Sequence, residues 1–155
     1  MKKFIGLDAD SISTSISVLS KILASTYIIY LKTQNFHWNV KGPNFIMLHE
    51  LFGLQYKELA DAIDNIAERI SMLGHITPAT TIEFNKLSTI KECELPFTAN
   101  AMLQALSSDH ELMIIELRNS ITLLDNNMDE GTKDLLIERL QAHEKTCWML
   151  ASHLA

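Results

Sequence analysis

Proline and glycine are scarce in this 155-residue chain, at three and five positions, and cysteine occurs twice. So few turn formers argue against a turn-dense all-β sandwich or barrel. Cys93 and Cys147 lie far apart with no C-x-x-C spacing. That excludes a disulfide framework and fits a reduced, cytoplasmic setting. Basic residues are outnumbered, thirteen Lys and Arg against nineteen Asp and Glu. The formal charge of −6 gives no general affinity for phosphate backbones. Long uninterrupted apolar runs are missing too. The stretch from Ile16 to Leu31 is broken by Lys21 and by Ser and Thr, and falls short of a membrane span. Lys2 and Lys3 precede only four apolar or small residues before Asp8, too few for a signal peptide.

What the chain does have is apolar content, 47% hydrophobic residues against 21% charged. At this length that predicts one domain over residues 1–155, with a short tail over about 1–10 and a core of real size. Ile12, Ile16, Leu19, Leu23, Tyr27 and Tyr30 recur at helical spacing, predicting a first helix from about Ser11 to Phe36. Asp8, Asp10 and Ser11 are its candidate caps. Gly42-Pro43 breaks the chain, and a second pattern from Asn44, a candidate N-cap, carries Phe45, Leu48, Phe52, Tyr56, Leu59, Ile63, Ile66, Ile70 and Leu73. Gly74 stands where a C′ residue ends a helix.

Periodicity fades from His75 to Pro96, a long crossover with a short helix expected near Ile82 to Ile90. A third long pattern follows Thr98, with Met102, Leu106, Met113, Leu117, Ile121 and Leu124. Residues 125–131 read as a turn, and Leu136, Leu140, Cys147, Leu150 and Leu154 mark a fourth helix. Two helical hairpins joined by one long connection describe an all-α, ferritin-like four-helix bundle.

A metal site inside such a bundle commonly draws on Glu-x-x-His, and the sequence contains none. Another cluster remains: His37 and Trp38 near the end of the first helix, His49 on the second, and Asp64 with Glu68 further along it. Asp64 and Glu68 are one turn apart and share a face. His37 and His49 flank the Gly42-Pro43 turn. His49 and Asp64 are fifteen residues apart, roughly 22 Å along a helix, whereas metal–ligand bonds are about 2 Å. Within one chain the two histidines and two carboxylates cannot hold the same ion. If they act together, they must meet across a two-fold dimer, giving two equivalent sites.

The segments Lys32-Thr-Gln-Asn-Phe-His-Trp-Asn-Val-Lys-Gly-Pro-Asn-Phe45, Leu48-His-Glu-Leu-Phe52 and Asp64-Asn-Ile-Ala-Glu-Arg69 closely resemble the Dps family of mini-ferritins. Gly131-Thr-Lys-Asp134 and Trp148-Met-Leu add to the likeness, which covers nearly the whole chain. The resemblance implies a hollow twelve-subunit shell that stores ferric oxide. It implies ferroxidase centres at two-fold interfaces, with hydrogen peroxide as preferred oxidant of Fe(II) and protection from oxidative stress as the result. Carried over by position, His37 and His49 are ligands from one subunit and Asp64 and Glu68 from its partner. Trp38 stands beside the centre as electron donor or radical trap. Acidic residues near the start of the last helix line three-fold pores in the family, which points to Asp129 and Asp134.

One position departs from the family. Relatives commonly carry an acid four residues after the second histidine, and here that residue is Gly53. One firm iron site and a weaker second are expected. Zinc should compete with iron for such ligands, and loading should weaken in mild acid because imidazole binds metal only when neutral. His110 and His143 fall on apolar stripes and read as satisfied bundle residues. His75 and His153 read as helix-end decoration, and Cys147 as a packed thiol. Some relatives condense DNA through lysine-rich tails. Here the tail offers Lys2 and Lys3 alone, and twelve copies at −6 each repel phosphate, so tight DNA binding is not expected. A nucleoid-binding shell and a catalytically silent helical oligomer are the alternatives to iron oxidation.

Overall fold

The computed structural model describes residues 5–94 and 98–154, so the expectation for Lys2 and Lys3 lies outside it. Five helices follow in order: α1 (Ala9–Asn39), α2 (Phe45–Met72), α3 (Thr81–Leu87), α4 (Ala99–Leu123) and α5 (Glu130–Ser152). Among the described residues there is no strand. The Asp8 side chain caps α1 by accepting from the Ser11 N–H at 2.7 Å. Asn44 stands before α2 but makes no side-chain capping bond. Gly74, at φ +85°, closes α2: its N–H donates to the Ser71 carbonyl while that of His75 donates to Ile70, the Schellman arrangement. A capping box between Thr80 and Glu83 starts α3, and Thr98 caps α4.

The expected turn over 125–131 is shorter than its composition suggested. Asp129 is the N-cap of α5, accepting from the Thr132 N–H, and Gly131 lies inside the helix.

The long helices form a ring in which α1 packs on α2 and α4, and α5 on α2 and α4. One core cluster joins Leu19, Ile22 and Ile29 to Leu59, Ile66, Met113, Leu117 and Leu136. A second gathers Phe36, Leu48, Phe52, Met102, Leu106 and Leu150 at the other end. Between them every long helix contributes buried polar groups: Lys32, Gln55, Asp109 with His110, and His143. The Lys32 ammonium lies 2.6 Å from Asp109 and donates to the Lys91 carbonyl, fastening the crossover to α1 and α4. By length and composition α1 can cross a membrane, contrary to the expectation from Lys21, but 56% of its most apolar window is buried inside the bundle. Most of that apolar surface is core.

Candidate metal centre

The last turn of α1 and the second turn of α2 meet across the Gly42-Pro43 bend, bringing His37 against His49. His37 Nδ1 lies 2.6 Å from the His49 carbonyl oxygen, and His49 Nδ1 lies 2.7 Å from the His37 carbonyl. A carbonyl oxygen only accepts, so both Nδ1 atoms carry a proton and donate it. In each neutral ring the lone pair therefore sits on Nε2. The rings stack with centroids 3.8 Å apart and planes 17° from parallel. Hydrogen bonds of this kind fix the tautomer and orientation of metal-ligating histidines. Phe45 stacks on the far side of His49 at 5.2 Å.

Gly53 permits the arrangement. A Cβ there would meet His37 Cε1 at 3.1 Å and Nδ1 at 3.2 Å, tighter than ordinary contact. The imidazole rests on backbone that a side chain would cover. The glycine that sequence comparison registers only as a missing acid has a positive role in seating His37.

Asp64 and Glu68 lie exposed on the same side of α2, which runs unbroken from Phe45 to Met72. Asp64 stands about four turns from His49, roughly 22 Å along the axis, and Glu68 one turn further, at roughly 28 Å. Among the described residues, no three His, Cys, Asp or Glu side chains within one chain converge closely enough to hold a metal ion. The chain thus carries two separate pairs of donors, one of imidazoles and one of carboxylates. Each pair borders exposed apolar surface. Trp38 (64% exposed), Ile46, Met47 and Leu54 flank the histidines, and Met72, Ile76 and Ile82 lie toward the carboxylate end.

Arg69, next to Glu68, was not singled out in the sequence. Its guanidinium bonds to the Asp129 carboxylate at 2.5 Å and to Thr132 Oγ1 at 3.0 Å, tying the end of α2 to the start of α5. Burial opposes ionisation of Asp129, yet the Thr132 hydrogen bonds, Ser15 and the Arg69 charge together hold its pKa below the usual range. At 2% exposure in the single chain, Asp129, expected as a pore acid, is a buried cap and clamp whose carboxylate is engaged by Arg69 and Thr132. Asp134 is exposed on α5.

His110 and His143 are buried as expected but differently wired. Their Nδ1 atoms lie 2.8 Å apart, so one ring donates to the other and the two adopt opposite tautomers. Both Nε2 atoms are buried without a protein partner. Burial, then the Arg139 charge, pushes the His110 pKa down to about 3.

The three tyrosines were read only as core positions. Tyr56 meets the His37 ring edge-on at 5.2 Å, a contact that its place two turns beyond His49 on α2 makes possible.

Residues 16–155 match the ferritin-like domain family. The DNA protection during starvation protein 2 of Bacillus anthracis is 42% identical over 139 residues, spanning 90% of this chain and 95% of that protein. DpsC from Streptomyces coelicolor superposes with TM-score 0.96 at 28% identity, over 100% of this chain and 91% of its own. The DPS protein from Vibrio cholerae O1, described as a member of a broad superfamily of ferritin-like diiron-carboxylate proteins, superposes at 0.94 with 29% identity, over 99% and 96%.

Proposed function

Because the chain belongs to the Dps family of ferritin-like proteins, we propose that it oxidises Fe(II) at centres shared between two chains and stores the ferric product in a hollow homo-oligomeric shell. His37 and His49 of one chain and Asp64 and Glu68 of a two-fold partner form each centre. The observation that carries this reading is the reciprocal lock between His37 and His49. It leaves two oriented Nε2 lone pairs beside an exposed apolar face, with the carboxylates too far along the same helix to reach them. An antiparallel two-fold pairing of α2 brings each imidazole pair to the other chain's carboxylates and covers the exposed apolar residues around both.

At such a centre imidazole and carboxylate accept Fe(II), and the carboxylates stabilise the added charge of Fe(III). Hydrogen peroxide takes two electrons from two ferrous ions and two protons from solvent to give two waters, so no hydroxyl radical is released. Zinc competes for the same donors. Twelve chains form the shell, Asp134 lines the entry pores, and the protein acts in the cytoplasm. With a charge of −6 per chain it does not hold DNA tightly. A gel shift that survives about 0.15 M salt would overturn that last statement.

Mixed oligomers test the shared centre. His37→Ala/His49→Ala and Asp64→Ala/Glu68→Ala chains are each expected to be inactive in peroxide-driven Fe(II) oxidation. Co-assembled, they regain part of the activity, because some interfaces pair intact imidazoles with intact carboxylates. Absence of recovery in assembled mixtures refutes the shared site.

A further inference from the structure

Midway along the bundle, polar side chains from three helices are buried with atoms that no protein group satisfies. Gln55 of α2, 8% exposed, has neither its amide nitrogen nor its amide oxygen bonded. The Nε2 atoms of His110 on α4 and His143 on α5 are in the same position, at 2% and 1% exposure, and so is Nε of Arg139 on α5. Helix order places all of them at one level. The ion pair between Arg139 and Glu58 joins α5 to α2, and His143 and Gln55 each lie about one turn from it. They lie on the same side of it, because α2 and α5 run antiparallel. Leu48 and Phe52 share a core cluster with Leu150, and Leu59 and Ile66 share the other with Leu136. The bond between the two Nδ1 atoms then brings His110 to His143. An unmet polar atom in a dry interior costs as much as a lost hydrogen bond, and a marginally stable fold does not carry several in one layer.

The chemistry of these atoms selects their ligand. One imidazole donates through Nδ1 and keeps a bare Nε2; the other accepts at Nδ1 and carries its proton on Nε2. The unmet acceptors are therefore one ring nitrogen and the Gln55 oxygen. The unmet donors are the other ring's N–H, the Gln55 amide and the Arg139 Nε–H. A metal ion would find a single imidazole lone pair beside an N–H and a guanidinium. An anion would be repelled by the bare nitrogen and the amide oxygen. No net charge calls for either, since Arg139 is paired with Glu58 and Lys32 with Asp109. What fits is a small neutral molecule that both donates and accepts. We propose that this layer is an internal hydration site, where bound water bridges α2, α4 and α5 through Gln55, His110, His143 and Arg139. Nε2 lies across each ring from the shared Nδ1 bond, so a water stands at either end of the histidine pair. Buried water makes about three hydrogen bonds and is costly to remove, so a pair of them satisfies the whole set. The water is a structural ligand joining three helices at a level where their side chains do not bond one another. It also takes up the free lone pairs of the bundle interior.

Neutron diffraction from crystals of the assembled protein in deuterated water tests the site. Nuclear density for a D2O molecule within about 3 Å of each Nε2 is expected, with deuterium bound to the Nε2 of one ring only. In solution, oxygen-17 relaxation dispersion should show long-lived water that falls by about two molecules per chain in a Gln55→Met/His110→Leu/His143→Leu variant. If that variant does not fold, the wild-type nuclear density decides alone. Empty density at both Nε2 atoms overturns the proposal, as does a side chain or carbonyl bonded to each of them. A relaxation dispersion unchanged in the folded triple variant does the same. So does zinc at either Nε2, located by anomalous scattering in crystals soaked with that ion, because a bound cation requires the lone pairs that water is assigned here.

Discussion

Replacing His110 and His143 together with leucine removes a buried hydrogen-bonded pair, and two partnerless Nε2 atoms, from the middle of the bundle. Burial first and the Arg139 charge second set the His110 pKa at about 3, against an ordinary value of 6.5. The unfolded chain therefore takes up a proton near 6.5 that the folded chain refuses until about pH 3. Stability from this residue is complete above 6.5 and declines as the medium is acidified, by about 1.4 kcal/mol per pH unit. Two units below 6.5 the loss from His110 alone is roughly 3 kcal/mol. His143, lowered by burial, by His110 and by Arg139, adds in the same direction. The groups in and around this polar layer offer no relief: Arg139 is cationic and already paired with Glu58, Lys32 is paired with Asp109, and Gln55 is neutral. Urea unfolding at pH 7.5, 6.0 and 4.5 reads the effect. The gap between wild type and the double leucine variant should shift in the variant's favour with each step into acid. Parallel profiles would refute the argument, as would nitrogen resonances placing both histidines in the same tautomer at neutral pH.

Gly53→Ala should weaken Fe(II) binding at the histidine pair, because the new Cβ pushes on the His37 ring at 3.1 Å, while the helix gains about 1 kcal/mol of propensity. Anaerobic titration against thermal unfolding separates the two, and unchanged Fe(II) affinity would show that the ring is not seated by the missing side chain. Arg69→Met leaves the Asp129 carboxylate buried without its charged partner, beside Thr132 and Ser15, and should cost about 2–3 kcal/mol in urea unfolding at neutral pH. A loss below half a kcal/mol would mean that the clamp between α2 and α5 carries no load.

The long helices were legible because periodicity and caps agree along most of the chain. Asp8, Gly74 and Thr98 all do what their residue types predict. Where the reading failed, a contact distant in sequence decided the outcome. Gly131 reads locally as a breaker, yet it is helical, and a Cβ there would stand 3.0 Å from the Arg69 guanidinium, so its absence leaves that group room. Asp129 resembles a solvent-facing acid until Arg69, sixty residues earlier, is folded against it. The separation of the two candidate donor pairs was legible for the opposite reason. A separation of fifteen residues along one helix, from His49 to Asp64, already parts imidazoles from carboxylates, whatever the tertiary structure does. The tautomers, the seat at Gly53 and the contact of Tyr56 with His37 were not legible, because each depends on how α1 and α2 lie against each other.

Two pairs of histidines occur in this chain, and their wiring explains why only one is suited to metal. In the bundle interior His110 and His143 point Nδ1 at Nδ1, so a proton occupies the space where a shared ion would need two lone pairs. The acids nearest that layer, Asp109 and Glu58, are already neutralised by Lys32 and Arg139. At the hairpin end His37 and His49 spend Nδ1 on each other's backbone carbonyl, and both Nε2 lone pairs remain available. Among the described residues no acid of the same chain completes that set. On the proposed reading, a bundle that neutralises its interior polar layer and leaves its free lone pairs at the edge puts metal chemistry where a second chain supplies the negative charge. That reading predicts that iron capture is coupled to assembly: a dilute, dissociated chain, carrying only half of each centre, should bind Fe(II) more weakly than the assembled protein in anaerobic titration, and equal affinity would refute it.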